Sequence, residues 1–437
     1  MANSEHLALI QQGVEVWNNW YQQHKKVIPD FSQANLSNLN LRGVNLNKAL
    51  LKQTNFNRTD LSQGQFANAN LEGANFLGAN LLDANFKGAN LDYVIFAQAL
   101  INARTLMAIK YRQVHDIVNR QTANKKFSGS DLSNSNLFRA DLRNAELSNA
   151  KLLNVNFNSA NLNGAYLYKA DLTGAILENA DLRNAYFSHA NLTSAYLGGA
   201  LCCGTYFKDA ELKFANLKTA KFSQKTMVDL KWYAVWEIVN HGAEKKNLSG
   251  KDLSNANLQG VNFESANLTN AKLSNAILRH SNLTNANLTN SDLVGANVCG
   301  VDFDQANLKG ARLKSVISDR HTKLSTASSQ KTSLLVKERP IVETNTIIQP
   351  PTIEPSVVEF PRLTGIQLNE TSLKPPTKPK KKKKKSGSNP LGILLLGIIT
   401  AVGIGGYVFW TQNPDYPWSL KLKIWQSQLE QLLPSHQ

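Results

Sequence analysis

The sequence predicts an all-β solenoid interrupted by short α-helices and followed by a single transmembrane helix. Three observations lead there. Leu or Phe falls on every fifth residue through most of residues 30–315, proline is excluded from that stretch, and one uncharged apolar run spans Leu391–Trp410. From Phe127 to Phe222 the beat holds for twenty consecutive centres: Phe127, Leu132, Leu137, Leu142, Leu147, Leu152, Phe157, Leu162, Leu167, Leu172 and onward. Only Cys202 among them is neither Leu nor Phe, and Ala stands two residues before the centre in fifteen of the twenty. A short fixed period of this kind marks a repeat architecture.

The five-residue step has a physical reading. Ala and a Leu two residues later share one face of an extended chain. Five is odd, so a straight strand would throw the next pair outward. The chain must turn once per repeat. Gly, Asn, Asp and Ser crowd the second position after the centre (Gly164, Gly174, Asn179, Asn184), which suits a tight turn. Successive coils then stack by backbone hydrogen bonds at strand spacing, about 4.8 Å. The residue two before each centre stays small because so narrow a tube has no room for a second large side chain per repeat. A helix is rejected, since a period of five drifts around a 3.6-residue turn and builds no apolar face.

Units such as Ala140-Asp141-Leu142-Arg143-Asn144 and Ala190-Asn191-Leu192-Thr193-Ser194 resemble the pentapeptide repeat family, whose members are numerous in cyanobacteria. The resemblance implies a right-handed quadrilateral β-helix with four pentapeptides per coil. The block from Phe127 would then make about five coils, roughly 24 Å of tube.

In chain order, residues 3–26 read as one amphipathic helix carrying Leu7, Ile10, Val14, Trp17 and Tyr21 on a stripe widened by Trp20. Within residues 1–29 it is the N-terminal cap, because an open solenoid end exposes strand edges and core. Repeat block 1 follows over 30–101, block 2 over 127–222 and block 3 over 248–317, each shifted one residue in register from the last. The interruptions 102–126 and 223–247 are related to each other. Lys110-Tyr111 and Val114-His115-Asp116-Ile117-Val118-Asn119 match Lys231-Trp232 and Val235-Trp236-Glu237-Ile238-Val239-Asn240 at a spacing of 121 residues. Each reads as a helix docking an apolar stripe on the solenoid, either ending one stack or bulging from a continuous one.

Residues 318–390 hold nine of the thirteen prolines, with no periodicity, and read as a disordered linker. Its Lys380, Lys381, Lys382, Lys383, Lys384 and Lys385 precede the twenty-residue run 391–410, which is long enough to cross a bilayer. By the positive-inside rule the lysines and the solenoid stay cytoplasmic, in a cytoplasmic or thylakoid membrane, with the C-terminus across it. Gly397, Ala401 and Gly405 make a small-residue stripe suited to self-association as a homodimer. The tail 411–437 spaces Trp418, Leu422, Trp425, Leu429 and Leu432 as an amphipathic helix on the far surface.

Charge and chemistry narrow the function. The formal charge is +16, and 16 of the 48 basic but only 8 of the 32 acidic residues follow residue 315. The solenoid is therefore only mildly basic. Three cysteines make no disulfide framework, and Cys202 reads as core filling. No phosphate loop, zinc pattern or nucleophile elbow is present, and His115 and His241 lack a second ligand at metal spacing. His189 and His280 read as outward and isolated. The expectation is a protein without catalytic, cofactor or metal residues and without a small-molecule substrate. It would be a membrane-tethered scaffold offering a rigid rod to a protein partner, with the bilayer engaged through 391–410. A structural or membrane-organising role is the alternative. A DNA mimic shielding DNA gyrase, which the resemblance also admits, would need a strongly negative rod. A nucleic-acid binder would need its Lys and Arg clustered on one face.

Overall fold

The computed structural model describes residues 2–120 and 125–324, all within the first of the chain's two units, Met1–Thr352. Its repeats form a parallel β-helix. Asn35 bridges Asn55, which bridges Asn75, so each coil takes twenty residues, or four pentapeptides. Leu36 N–H donates to Asn55 O at 2.9 Å in the next coil, and Asn55 N–H returns to Ala34 O at 2.8 Å. Each corner is a β-turn, such as Ala34 N–H to Phe31 O at 2.9 Å. The second residue after the centre takes positive φ in nearly every repeat, 60° at Asn38 and 57° at Asn184. Even Lys48 (60°) and Phe214 (59°) adopt it, so the coil imposes the left-handed corner and Gly or Asn merely lowers its cost.

Inside the tube, Leu132, Leu142 and Leu172 are fully buried beside Ala145 and Ala175. Phenylalanines stack from coil to coil, Phe66 on Phe86 at 4.8 Å and Phe187 on Phe207 at 5.1 Å. Gly64 replaces the usual Ala because a Cβ there would sit 2.7 Å from the Phe66 ring. The residue before each centre explains the abundance of Asn and Asp. Asn55 Oδ1 accepts from Asn57 N–H at 3.1 Å, while its Nδ2 reaches Asn35 Oδ1 at 3.0 Å in the adjacent coil. Residues at this position fix their own corners, and several, such as Asn75 on Asn55 and Asn80 on Asp60, add a side-chain rung between coils.

The single N-terminal helix expected over 3–26 is two: α1, Ser4–Gln11, and α2, Val14–Gln23. Gly13, at φ 122°, breaks them apart in a conformation closed to L side chains, and Asn3 Oδ1 caps α1 through Glu5 and His6 N–H. The intervening helices are α3, Ile109–Asn119, and α4, Leu230–His241.

The expected linker from 318 is also corrected. Residues 319–324 close the last coil, with β1 (Asp302–Phe303) pairing β2 (Lys323–Leu324) in parallel and Thr322 Oγ1 donating to Val298 O at 3.0 Å. The rest of the linker, Lys380–Lys385, the run 391–410 with Gly397, Ala401 and Gly405, and the tail 411–437 lie outside the described residues. No described helix is long and apolar enough to cross a membrane.

Candidate functional site

Because every interior coil exhausts its backbone groups on its neighbours, what the solenoid can still bind with lies on its lateral faces and at its cut edges. The edges come first. Where block 1 ends, four backbone groups face outward, and α3 and the next block take them up. Asn119 Nδ2 donates to Phe96 O at 2.8 Å while its Oδ1 accepts from Gln98 N–H at 2.5 Å. His115 Nε2 lies 2.9 Å from Ala99 O and so carries the proton it donates. Tyr93 N–H passes over to Asn134 O of block 2 at 2.7 Å. One carboxamide thus stands in for the neighbouring strand, giving one donor and one acceptor to residues two apart.

Block 2 ends in the same way. Asn240 Nδ2 donates to Leu217 O at 3.0 Å and its Oδ1 accepts from Thr219 N–H at 2.6 Å, while Trp236 Nε1 donates to Ala220 O at 2.8 Å. Phe214 N–H crosses to Asn255 O of block 3 at 2.8 Å. The helices therefore seal most of each edge while one face runs on directly, so neither of the two expected arrangements holds alone. At the other end, α2 repeats the device: Asn18 Nδ2 donates to Gly43 O at 3.1 Å and Asn18 Oδ1 accepts from Asn45 N–H at 2.8 Å, beside Trp17 Nε1 to Asn45 O at 2.9 Å.

Charged partners fasten the first junction. Asp92 accepts from Lys110 Nζ at 2.8 Å, Tyr111 Oη at 3.1 Å and Asn134 Nδ2 at 3.1 Å. Burial, then the nearby Asp92 carboxylate, pushes the Tyr111 phenol up to about 12. Each exit from a block is held by a threonine: Thr105 Oγ1 to Leu81 O, Thr226 Oγ1 to Cys202 O and Thr322 Oγ1 to Val298 O, at 3.0, 2.7 and 3.0 Å.

On a lateral face of block 2, Tyr166, Tyr186 and Tyr206 form a column, with rings 4.9 Å apart and 2° from parallel in the first pair and 6.3 Å apart in the second. Tyr206 bridges Met227, which is 54% exposed, and Leu230 just beyond it is 88% exposed. Burial, then the neighbouring Tyr166, raises the Tyr186 phenol to about 12.

The centres singled out from sequence, Phe127, Leu132, Leu137, Leu142, Leu147, Leu152, Phe157, Leu162, Leu167 and Leu172, all point into the core. Cys202 is fully buried, and desolvation followed by the neighbouring Cys203 drives its thiol far up. His189 is not isolated but packs edge-on to Tyr168 at 5.7 Å. The cleft at the N-terminus has its histidines engaged, His6 Nδ1 accepting from Asp30 N–H at 3.1 Å and His24 stacking on Trp20 at 4.6 Å. Among the described residues no group of three or more His, Cys, Asp or Glu could hold a metal ion. The sequence reading missed the capping role of Asn18, Asn119 and Asn240 and the tyrosine column. The match of Asn119 to Asn240 across 121 residues was the available signal for the first.

The family model described as pentapeptide repeats matches residues 30–63, 65–101, 126–158, 150–188, 185–224, 247–285 and 281–317. No curated protein sequence matches the chain. Among solved structures the chain is similar to HetL, a pentapeptide repeat protein involved in heterocyst differentiation regulation from the cyanobacterium Nostoc sp. strain PCC 7120. Identity there is 22% over 69% of this chain and 96% of that one, with a TM-score of 0.20. A second pentapeptide repeat protein of Nostoc PCC 7120 is 37% identical over 21% of this chain and 78% of its own, with a TM-score of 0.20. One from the Arabidopsis thaliana thylakoid lumen is 35% identical over 26% of this chain and 77% of its own, with a TM-score of 0.15.

Proposed function

The chain belongs to the pentapeptide repeat family, and from that premise we propose that it is a non-enzymatic scaffold, moored to a membrane through Leu391–Trp410, that offers its β-helix to a protein partner in the cytosol. The observation that carries the binding half is the column Tyr166–Tyr186–Tyr206 running onto exposed Met227 and Leu230. Stacked tyrosines with an apolar margin supply large, rigid, amphipathic area, the composition favoured at protein interfaces. The mooring half rests on the uncharged run 391–410 behind six lysines.

The test is crosslinking and capture from membranes, comparing the full chain, a Tyr206→Lys variant and a chain ending at Leu324. The Tyr206→Lys variant is expected to lose the partner with its melting temperature unchanged, and the shortened chain to recover less of it. Equal recovery by all three would contradict the reading. Cysteine labels at positions 378 and 430 are expected to show opposite accessibility in intact cells; equal accessibility would remove the membrane span.

A further inference from the structure

A third cut edge of the same construction exists, and among the described residues nothing seals it. The exits Asn102–Thr105, Ser223–Thr226 and Asp319–Thr322 share one geometry: the first residue's N–H donates to the threonine Oγ1 at 3.1, 2.9 and 3.2 Å, and that hydroxyl donates to a carbonyl 24 residues back. Counting back from each threonine, Phe96, Gln98 and Ala99 correspond to Leu217, Thr219 and Ala220, and these to Leu313, Ser315 and Val316. Likewise Tyr93 and Phe214 correspond to Gly310.

In the first two edges the core residues are covered: Phe96 and Leu217 are each 2% exposed, Ala99 and Ala220 each 4%. In the third, Leu313 and Val316 are only partly buried. Leu313 C=O keeps just its turn bond to Val316 N–H. Gly310 N–H, Ser315 N–H and Val316 C=O have no partner among the described residues. The sequence that follows does not repeat the residue types of α3 and α4. At the distances from Thr322 where the other two exits place Val114 and Val235, His115 and Trp236, and Asn119 and Asn240, the sequence has Lys331, Thr332 and Val336.

We propose that this edge is a seat for an amphipathic helix of another protein. That helix carries an Asn, an indole or imidazole N–H four residues before it, and a Val/Ile stripe between. The occupant's chemistry is read from the two seats that this chain fills itself: a carboxamide that bonds Leu313 C=O and Ser315 N–H together, a ring N–H for Val316 C=O, and aliphatic side chains over Leu313. The proposal goes beyond the tyrosine face and does not depend on it, since it concerns the end of the tube and not its side.

The probe is a labelled peptide of this chain's own residues 229–242, titrated against the purified full-length chain. Saturable binding is expected, weakened at least about tenfold by Asn240→Ala in the peptide, because two backbone groups then lose their partner. Leu313→Glu in the chain should weaken it by a similar factor, and Leu100→Glu, on a lateral face, should not change it. Hydrogen exchange provides a readout independent of variant folding: the Ser315 amide is expected to exchange fast in the free chain and to slow when peptide is bound, with Thr219 unchanged. Absence of saturable binding, or indifference to Asn240→Ala, would overturn the proposal. So would a Ser315 amide that is slow without peptide. Concentration-independent slowness would mean that the chain's own downstream residues fill the seat, and slowness that grows with concentration would mean a second copy does.

Discussion

Helices α3 and α4 lie 121 residues apart and seal equivalent edges with the same aliphatic stripe and asparagine, yet the contacts around these differ. Ala99 O receives its bond from an imidazole in one and Ala220 O from an indole in the other. Trp236 lies flat on Phe222 at 4.8 Å and 4°, prolonging the stack Phe187–Phe207–Phe222 into the helix, whereas His115 meets Phe96 edge-on at 6.1 Å and 73°. Lys110 pairs backward with Asp92 of block 1, and Lys231 pairs forward with Asp252 of block 3. What stays the same is the asparagine, the positions of the donors and the stripe Val114/Val235, Ile117/Ile238 and Val118/Val239. A strand edge dictates where hydrogen-bonding atoms must be and leaves the rest of the helix free to differ.

Substitutions separate what the two helices share from what they do not, beginning with the largest effect. Leu172→Asp, in the interior of block 2, sets the benchmark. It forces a carboxylate into a fully buried site and should cost about 4 kcal/mol or more, read as a fall in melting temperature. A melt that did not move would mean the centres do not face inward. Asn119→Ala and Asn240→Ala come next. Each leaves one edge amide without a partner and one carbonyl with only its turn bond, so each should cost about 1–3 kcal/mol in chemical denaturation. The two values should agree, since the carboxamide is the shared part. A large cost for one and none for the other would end the equivalence of the two helices.

His115→Leu and Trp236→Leu should then separate what differs. Both lose a bond to a backbone carbonyl, but Trp236→Leu also loses the face-to-face stack on Phe222 and should be the costlier by about 1 kcal/mol.

The smallest effect is on pH. The Asn102 amide, and after it Arg104, hold the Asp83 carboxyl below the usual carboxylate range, and Lys323 does the same first for Asp302. A carboxyl whose folded value lies below the unfolded one, about 3.9, contributes fully above that pH. The contribution is lost as pH falls through the folded value. Melting temperature should therefore hold level from about pH 8 to 5 and decline slightly below about pH 4, and Asp83→Asn should flatten part of that decline.

The coil itself was legible because its constraint is repeated: Leu and Ala at fixed spacing can satisfy one tube, and the exclusion of proline from 30–315 follows from its ladder. The ends were less legible for a related reason. Asn18, Asn119 and Asn240 perform the sealing, but Asn also fills the position before the centre in repeat after repeat, as at Asn35, Asn55 and Asn75. A single functional asparagine is hidden among rungs of the same residue type. The break at Gly13 was hidden by a stripe, Leu7 to Tyr21, that continues across it. Thr105, Thr226 and Thr322 could be recognised as one device only once the coil length was known, because each reaches a carbonyl 24 residues away.

Helix-borne asparagines replace a missing strand, so that the solenoid carries its hydrogen-bond ladder through each interruption. Amide hydrogen exchange at Gln98 and Thr219 tests it most directly. Both amides should be protected as strongly as interior coil amides such as Gly174, and each should lose that protection in the variant lacking its own asparagine, Asn119→Ala for Gln98 and Asn240→Ala for Thr219. Fast exchange at both amides in the unaltered chain, or protection that survives removal of the asparagine, would contradict it.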